Sequence, residues 1–203
     1  SYTSPEMLKT PFFWVMVLFF GMVGCTGVTM LSTVSLIGQT QAGMDAGMGA
    51  LMVGIFGIAN AIGRVGLGAI SDRFGRFQTM FGAVAVTAVI HLFLYSSANT
   101  PMVFIVESCV LGICFGGIMA IMPSLNADAF GPGNMGQNYG FMFIGYTLAS
   151  FIGPQVAANA LATTGSYSSA FPILGVLCIV GIVLLAIALF FFKRMKAKEQ
   201  ASA

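Results

Sequence analysis

The chain has 203 residues, of which 58% are hydrophobic and 7% are charged. A soluble domain carries about 25% charged residues, so this composition excludes an ordinary soluble domain and points to a membrane protein. The net charge of +2 is too small for a polyanion-binding surface, and no nucleic-acid partner is expected.

Six apolar runs are long enough to cross a bilayer as helices, which takes about 20 residues each. They cover residues 11–37, 47–70, 78–95, 101–125, 138–161 and 168–192. Strand-like alternation of apolar and polar residues is absent, which argues against a transmembrane β-barrel. The expected fold is an all-α membrane protein with six transmembrane helices, solvated by the lipid bilayer. The chain starts with Ser rather than Met, and a charged approach, Glu6-Met7-Leu8-Lys9-Thr10, precedes the first run. It reads as a piece of a longer protein.

The first run opens at Pro11, a favourable first-turn position. Gly21, Gly24 and Gly27 suit close helix approach, and Thr26, Thr29, Ser32, Thr33 and Ser35 suit a polar cavity or a neighbouring helix. The second run is richer in glycine and carries Arg64 in its middle. A guanidinium in hydrocarbon costs about 2.5–3.5 kcal/mol even on lenient scales, so a bound anion, an acid partner or a water-filled cavity must offset it. Asn60 lies one turn earlier on the same face and is placed to serve the same ligand. The one acid embedded in an apolar run is Glu107. Counting at 1.5 Å per residue in a core ~30 Å thick, the levels of Arg64 and Glu107 differ by about 8 Å. A direct pair would be strained, so an anionic ligand is favoured and the pair is the alternative. Glu107 is also a candidate protonation site, or a side chain that snorkels outward. The run ends in a charged turn, Ser71-Asp72-Arg73-Phe74-Gly75-Arg76.

The third run is plain except for His91, read as an interfacial packing residue. The fourth contains Gly112-x-x-x-Gly116, a small-residue packing motif, and Phe115 and Met119, which share a face at i, i+4 spacing. Pro123 lies near its end, where a kink is tolerated. Residues 126–137 read as a loop. The fifth run mixes aromatics with glycine, and Phe143 and Tyr146, three apart, line one surface. The sixth is aliphatic and reads as a lipid-facing support. Residues 193–203 form a basic tail that suits contact with anionic lipid.

Apart from Arg64, the seven basic residues are Lys9, Arg73, Arg76, Lys193, Arg194, Lys196 and Lys198. With six crossings all seven fall on one side and none on the other, which predicts that both termini are cytoplasmic. The expected location is a plasma (bacterial inner) membrane. Cys25, Cys109, Cys114 and Cys178 lie in apolar runs without C-x-x-C spacing and read as packing residues. There is no paired carboxylate, no Cys/His or Ser/His set and no phosphate loop, so an enzyme, a metal site and a cofactor are not expected.

Gly68-Ala69-Ile70-Ser71-Asp72-Arg73-Phe74-Gly75-Arg76 resembles the G-x-x-x-D-R-x-G-R signature of the major facilitator superfamily, which in the family follows the second helix of each half. The helices also fall into two sets of three, each with a glycine-rich middle member, which resembles the inverted three-plus-three repeat within a half of such transporters. The resemblance implies a conformational latch at Gly68, Asp72, Arg73, Gly75 and Arg76. Gly68 would admit a neighbouring helix, Asp72 would pair with an arginine or face a helix N-terminus, and Arg76 would bond carbonyls at a helix end.

The match is closer to the oxalate:formate antiporter and monocarboxylate transporter group. It rests on Glu6–Trp14, on Asn60-x-x-x-Arg64, and on Pro123-Ser124-x-Asn126-x-Asp128-x-Phe130-Gly131 followed by Asn138-Tyr139-Gly140-Phe141. It spans nearly the whole chain but only the C-terminal half of such a transporter, so an N-terminal six-helix half is an implied partner. The group's carboxylate-binding arginine falls on Arg64 and its aromatic wall on Phe115 and Phe143. Where oxalate transporters of the group carry a second cation, this chain has Tyr146. Where animal-type proton symporters have Asp, it has Asn60. The resemblance implies secondary transport of a small organic anion, a monocarboxylate before oxalate, by exchange or proton symport. A dicarboxylate exchanger and an oligomeric six-helix channel or scaffold are the alternatives.

Overall fold

The computed structural model describes residues 1–201. A short helix α1 (Ser4–Leu8) leads into α2 (Pro11–Gln41), α3 (Ala46–Phe74), α4 (Arg76–Val89), α5 (Pro101–Phe130), α6 (Met135–Met142), α7 (Ile144–Thr164) and α8 (Ala170–Ala201). Helix α4 continues through a π turn, Ile90–Leu94, and a 3-10 turn, Tyr95–Ser97, while α6 and α7 run on as one span. Six helical spans are long and apolar enough to cross a membrane, and no strand occurs among the described residues. The fold is the six-helix, all-α membrane class expected from the sequence.

Local chemistry sets the helix starts. In α1, Glu6 accepts from both the backbone N–H and the hydroxyl of Thr3 at 2.8 Å. These bonds, the backbone one first, hold its carboxyl below the usual carboxylate range. The Thr10 hydroxyl accepts from Phe13 N–H at the start of α2, and Asp45 accepts from Met48 N–H at 2.7 Å at the start of α3. Helix α3 stops at Gly75, whose φ of 103° and ψ of 143° an L side chain rarely adopts.

Two helix pairs pack almost backbone to backbone. Between α3 and α5, a Cβ on Gly63 would run into the Ile113 carbonyl, and one on Gly116 into the Asn60 carbonyl. Between α2 and α7, a Cβ on Gly145 would meet the Val17 carbonyl, and one on Gly153 would lie 2.8 Å from the Cys25 carbonyl. Small residues serve helix contacts in membranes because burying apolar side chains gains little when the solvent is lipid. The Gly112–Gly116 motif thus packs as expected. Gly68 does not have its expected role, since its Cβ would make only an ordinary 3.8 Å contact with Ala120. Close approach lies a turn or more away, at Gly63.

The first residues and the end of α8 both reach the end of α5. Tyr2 N–H donates to the Phe130 carbonyl at 2.7 Å, and Lys196 Nζ donates to the Ala129 carbonyl at 3.4 Å. Tyr2 and Lys196 therefore both sit at the α5 C-terminal end of the bundle.

Several helices outrun their apolar cores. Residues 71–74, read as part of a turn, are the last turn of α3, and residues 126–130, read as loop, complete α5. Helices continue past the membrane-soluble stretch wherever no breaker intervenes, and here the breakers are Gly75 and Gly131, with φ of 103° and 83°.

Candidate functional site

Arg64 sits mid-length on α3 on an exposed face, surrounded by the exposed apolar residues Ile58, Ile62 and Val65. Its Nε donates to Asn60 Oδ1 at 3.1 Å, one helical turn back. This bond engages Nε and leaves both Nη groups without a hydrogen bond among the described residues. No ion pair joins Arg64 to Glu107 among the described residues. The half-buried Glu107 keeps Oε2 buried without a partner among the described residues.

Because Gly116 backs onto the Asn60 carbonyl, Phe115 lies on α5 at the level of Asn60. A continuous aromatic set follows. Phe115 stacks on Tyr146 with ring centroids 6.3 Å apart, Tyr146 contacts Phe143 at 4.8 Å, and Phe143 contacts Tyr139 at 5.8 Å. Phe20 of α2 closes the back, 5.5 Å from Tyr146 and 5.8 Å from Phe143. Met119, half-buried, joins Tyr146 where the two hydrophobic cores meet. Neither the Tyr139 nor the Tyr146 hydroxyl has a hydrogen-bond partner among the described residues. The described residues thus present a planar cation on α3 and, on α5 to α7, two phenol hydroxyls over an aromatic floor; a guanidinium and phenols are groups that can donate to a carboxylate.

Of the expected residues, the structure brings together Asn60 and Arg64 on α3, and Phe115, Phe143 and Tyr146 with Met119 beside them. Tyr139 and Phe20 were missed. Tyr139 was legible, since 139, 143 and 146 fall on one helical face. Phe20 carried no signal within its apolar run.

At the other group of expected residues, the Arg76 guanidinium joins three helix ends. Nη1 donates to Asp72 Oδ1 at 2.8 Å and to Ser71 Oγ at 3.2 Å, and Nε donates to Asp128 Oδ2 at 2.6 Å. The expectation that Arg76 bonds carbonyls is corrected: it bonds carboxylates, because α5 extends one turn further than its apolar run and carries Asp128 into reach. Arg73 forms no ion pair among the described residues and lies 5.8 Å from the Phe74 ring centroid. Among the described residues no group of three or more His, Cys, Asp or Glu could hold a metal.

His91 lies apart from both groups. It packs as expected, but inside the bundle rather than at its surface: it is 1% exposed, with the Tyr95 and Phe171 rings at 6.1 and 6.5 Å. The π turn that begins at Ile90 contains it, and hydropathy alone does not reveal such a turn.

Comparison with known proteins agrees with this architecture. The Major Facilitator Superfamily profile matches residues 3–154 and 92–203. The chain is 32% identical over 196 residues to the oxalate:formate antiporter of Oxalobacter formigenes, covering 96% of this chain and 46% of that protein. It is 29% identical over 151 residues to the uncharacterized MFS-type transporter YhjX of Escherichia coli, covering 74% and 37%. It is 26% identical over 163 residues to monocarboxylate transporter 12 of Rattus norvegicus, covering 78% and 33%. The chain thus spans less than half the length of each of these relatives. Six membrane-length helices, glycine-packed in pairs, together with a profile match that spans nearly every residue, lead to one conclusion: the chain belongs to the Major Facilitator Superfamily.

Proposed function

We propose that the chain is the C-terminal six-helix half of a secondary transporter that carries a small organic anion, a monocarboxylate of the formate, lactate or pyruvate class. It works by alternating access against an N-terminal six-helix half, as an antiporter or proton symporter, in a bacterial inner membrane with both termini cytoplasmic. The observation that carries this reading is Arg64. A guanidinium with two unengaged Nη groups on an exposed face is tolerated in a membrane only if that face borders water and an anion rather than acyl chains. A second half covering the α3 face would enclose such a cavity. A single fixed cation with phenol hydroxyls balances one carboxylate.

Oxalate is the second reading, favoured by the 32% identity to a protein named oxalate:formate antiporter. A second carboxylate would then rest on the Tyr139 and Tyr146 hydroxyls rather than on a second cation. Glu107, whose Oε2 is buried without a partner among the described residues, is the candidate proton site if transport is symport. The Asp72–Arg76–Asp128 cluster acts as the cytoplasmic latch of one of the alternating states, and residues 193–203 are a basic tail against anionic lipid. The test is counterflow in proteoliposomes of the complete transporter, with formate, lactate, pyruvate and oxalate as competing trans substrates. Exchange with the monocarboxylates ahead of oxalate is expected, and exchange with none of the four would overturn the reading.

A further inference from the structure

Beside Phe115 the bundle holds a small cavity among α2, α3, α4 with its π turn, and α5. Its lining includes Thr26, Gly27, Thr87, His91 and Phe115, and every lining residue is buried. The space open to a water centre is about 10 Å³, close to the minimum that a single water requires.

The polar atoms facing this space have one character. His91 Nδ1 lies 3.0 Å from the Thr87 carbonyl oxygen. A carbonyl only accepts, so Nδ1 carries the hydrogen and Nε2 is left as a lone-pair acceptor. Nε2 is buried and has no partner among the described residues. The Thr26 hydroxyl donates to the Val23 carbonyl and the Thr87 hydroxyl to the Ala83 carbonyl, each at 2.8 Å. Both hydroxyl hydrogens are therefore committed to their own helices, and only oxygen lone pairs remain. The polar lining presents acceptors, and the remaining walls, Phe56, Leu111 and Ile118 among them, are apolar.

We propose that this cavity is an internal hydration site: one water molecule is held beside Phe115 and donates a hydrogen bond to His91 Nε2. An anion finds no donor there. A metal cation finds too few oxygen ligands and no charge to balance it. A water brings two O–H donors, one for Nε2 and one for a threonine oxygen, and so satisfies the orphaned nitrogen. The same Phe115 ring that lines the cavity stacks on Tyr146, so the water lies beside the aromatic wall of the proposed substrate site. The inference does not rest on the proposed substrate, since it needs only the His91 tautomer and the cavity.

The test uses the full-length protein in lipid bilayers with 15N-labelled histidine. This chain has a single histidine, and the spectrum of a His91→Gln variant identifies its signals against those from any other part of the protein. We expect a neutral ring with its hydrogen on Nδ1. We also expect a through-space correlation from Nε2 to water protons that outlasts the correlations of surface water. A hydrogen on Nε2, a doubly protonated ring, or an Nδ1–H ring with no water correlation would each overturn the proposal, the last by showing a dry cavity.

Discussion

Arg76 Nε and Asp128 Oδ2 lie 2.6 Å apart, across the cytoplasmic end proposed for the bundle. The same guanidinium holds Asp72 of α3 at 2.8 Å. One side chain at the start of α4 therefore ties down the last turns of α3 and α5. These helices also carry Arg64 and Phe115, so the tie and the candidate site share the same two rods.

The partners are partly exposed, with side-chain exposures of 22% for Arg76, 67% for Asp72 and 47% for Asp128. Each pair is then worth about 1 kcal/mol or less, and 1 kcal/mol changes a two-state ratio roughly fivefold. Asp72→Asn and Asp128→Asn in the complete transporter should each change the transport rate by a few fold, with substrate affinity altered less. Initial uptake rates against substrate concentration check this. If both variants keep wild-type turnover, the cluster is not a latch.

The glycine packing gives a paired prediction. Gly116→Ala places a Cβ against the Asn60 carbonyl, whereas Gly68→Ala makes only a 3.8 Å contact with Ala120. Overpacking a rigid contact costs about 1–3 kcal/mol. In detergent, Gly116→Ala should melt several degrees lower and Gly68→Ala should be close to unchanged. Equal behaviour of the two would mean that the α3–α5 contact is looser than described.

The number of spans, the glycine-rich character of α3, and the Arg64, Phe115, Phe143 and Tyr146 set were legible in the sequence. The charge of Arg64 and the helical spacing of the aromatics are local signals that survive folding. Asp128 was not legible as a partner of Arg76, because the polar residues after the apolar part of α5 look like loop until the breaker at Gly131 is known to end the helix. The burial of His91 was hidden for a different reason. It depends on a π turn and on Phe171, 80 positions away in the chain, and neither leaves a periodic trace. Gly68 shows the converse, a residue that fits a family signature while the close packing is done by Gly63.

Tyr146 stacks on Phe115 in the aromatic wall of the proposed site. Tyr146→Lys adds a second cation at that position. Preference should move from monocarboxylates toward oxalate, read as the ratio of inhibition constants for the two anions. An unchanged ratio, with folded protein retained, would place Tyr146 outside the ligand's reach.

For topology, single cysteines at Gly136 and Asn99, in a background without the native cysteines, probe the two ends of the bundle. Both positions are exposed. An impermeant thiol reagent applied to intact cells should label Asn99→Cys and spare Gly136→Cys. The reverse pattern would invert the assignment drawn from the basic residues.

Arg64 is the residue on which the proposed anion site depends, and the most direct measurement is carboxylate affinity in the purified complete transporter. A charge-assisted hydrogen bond contributes about 1.5–3 kcal/mol. Arg64→Gln should therefore weaken binding by about ten- to a hundredfold while folded protein is retained. Arg64→Lys should also lose much of the binding, because a lysine lacks the planar fork. Adding Glu107→Gln to Arg64→Gln should restore nothing. Full affinity in Arg64→Gln, with a loss of folded protein that the double variant repairs, would contradict the account and make Arg64 a structural partner of Glu107.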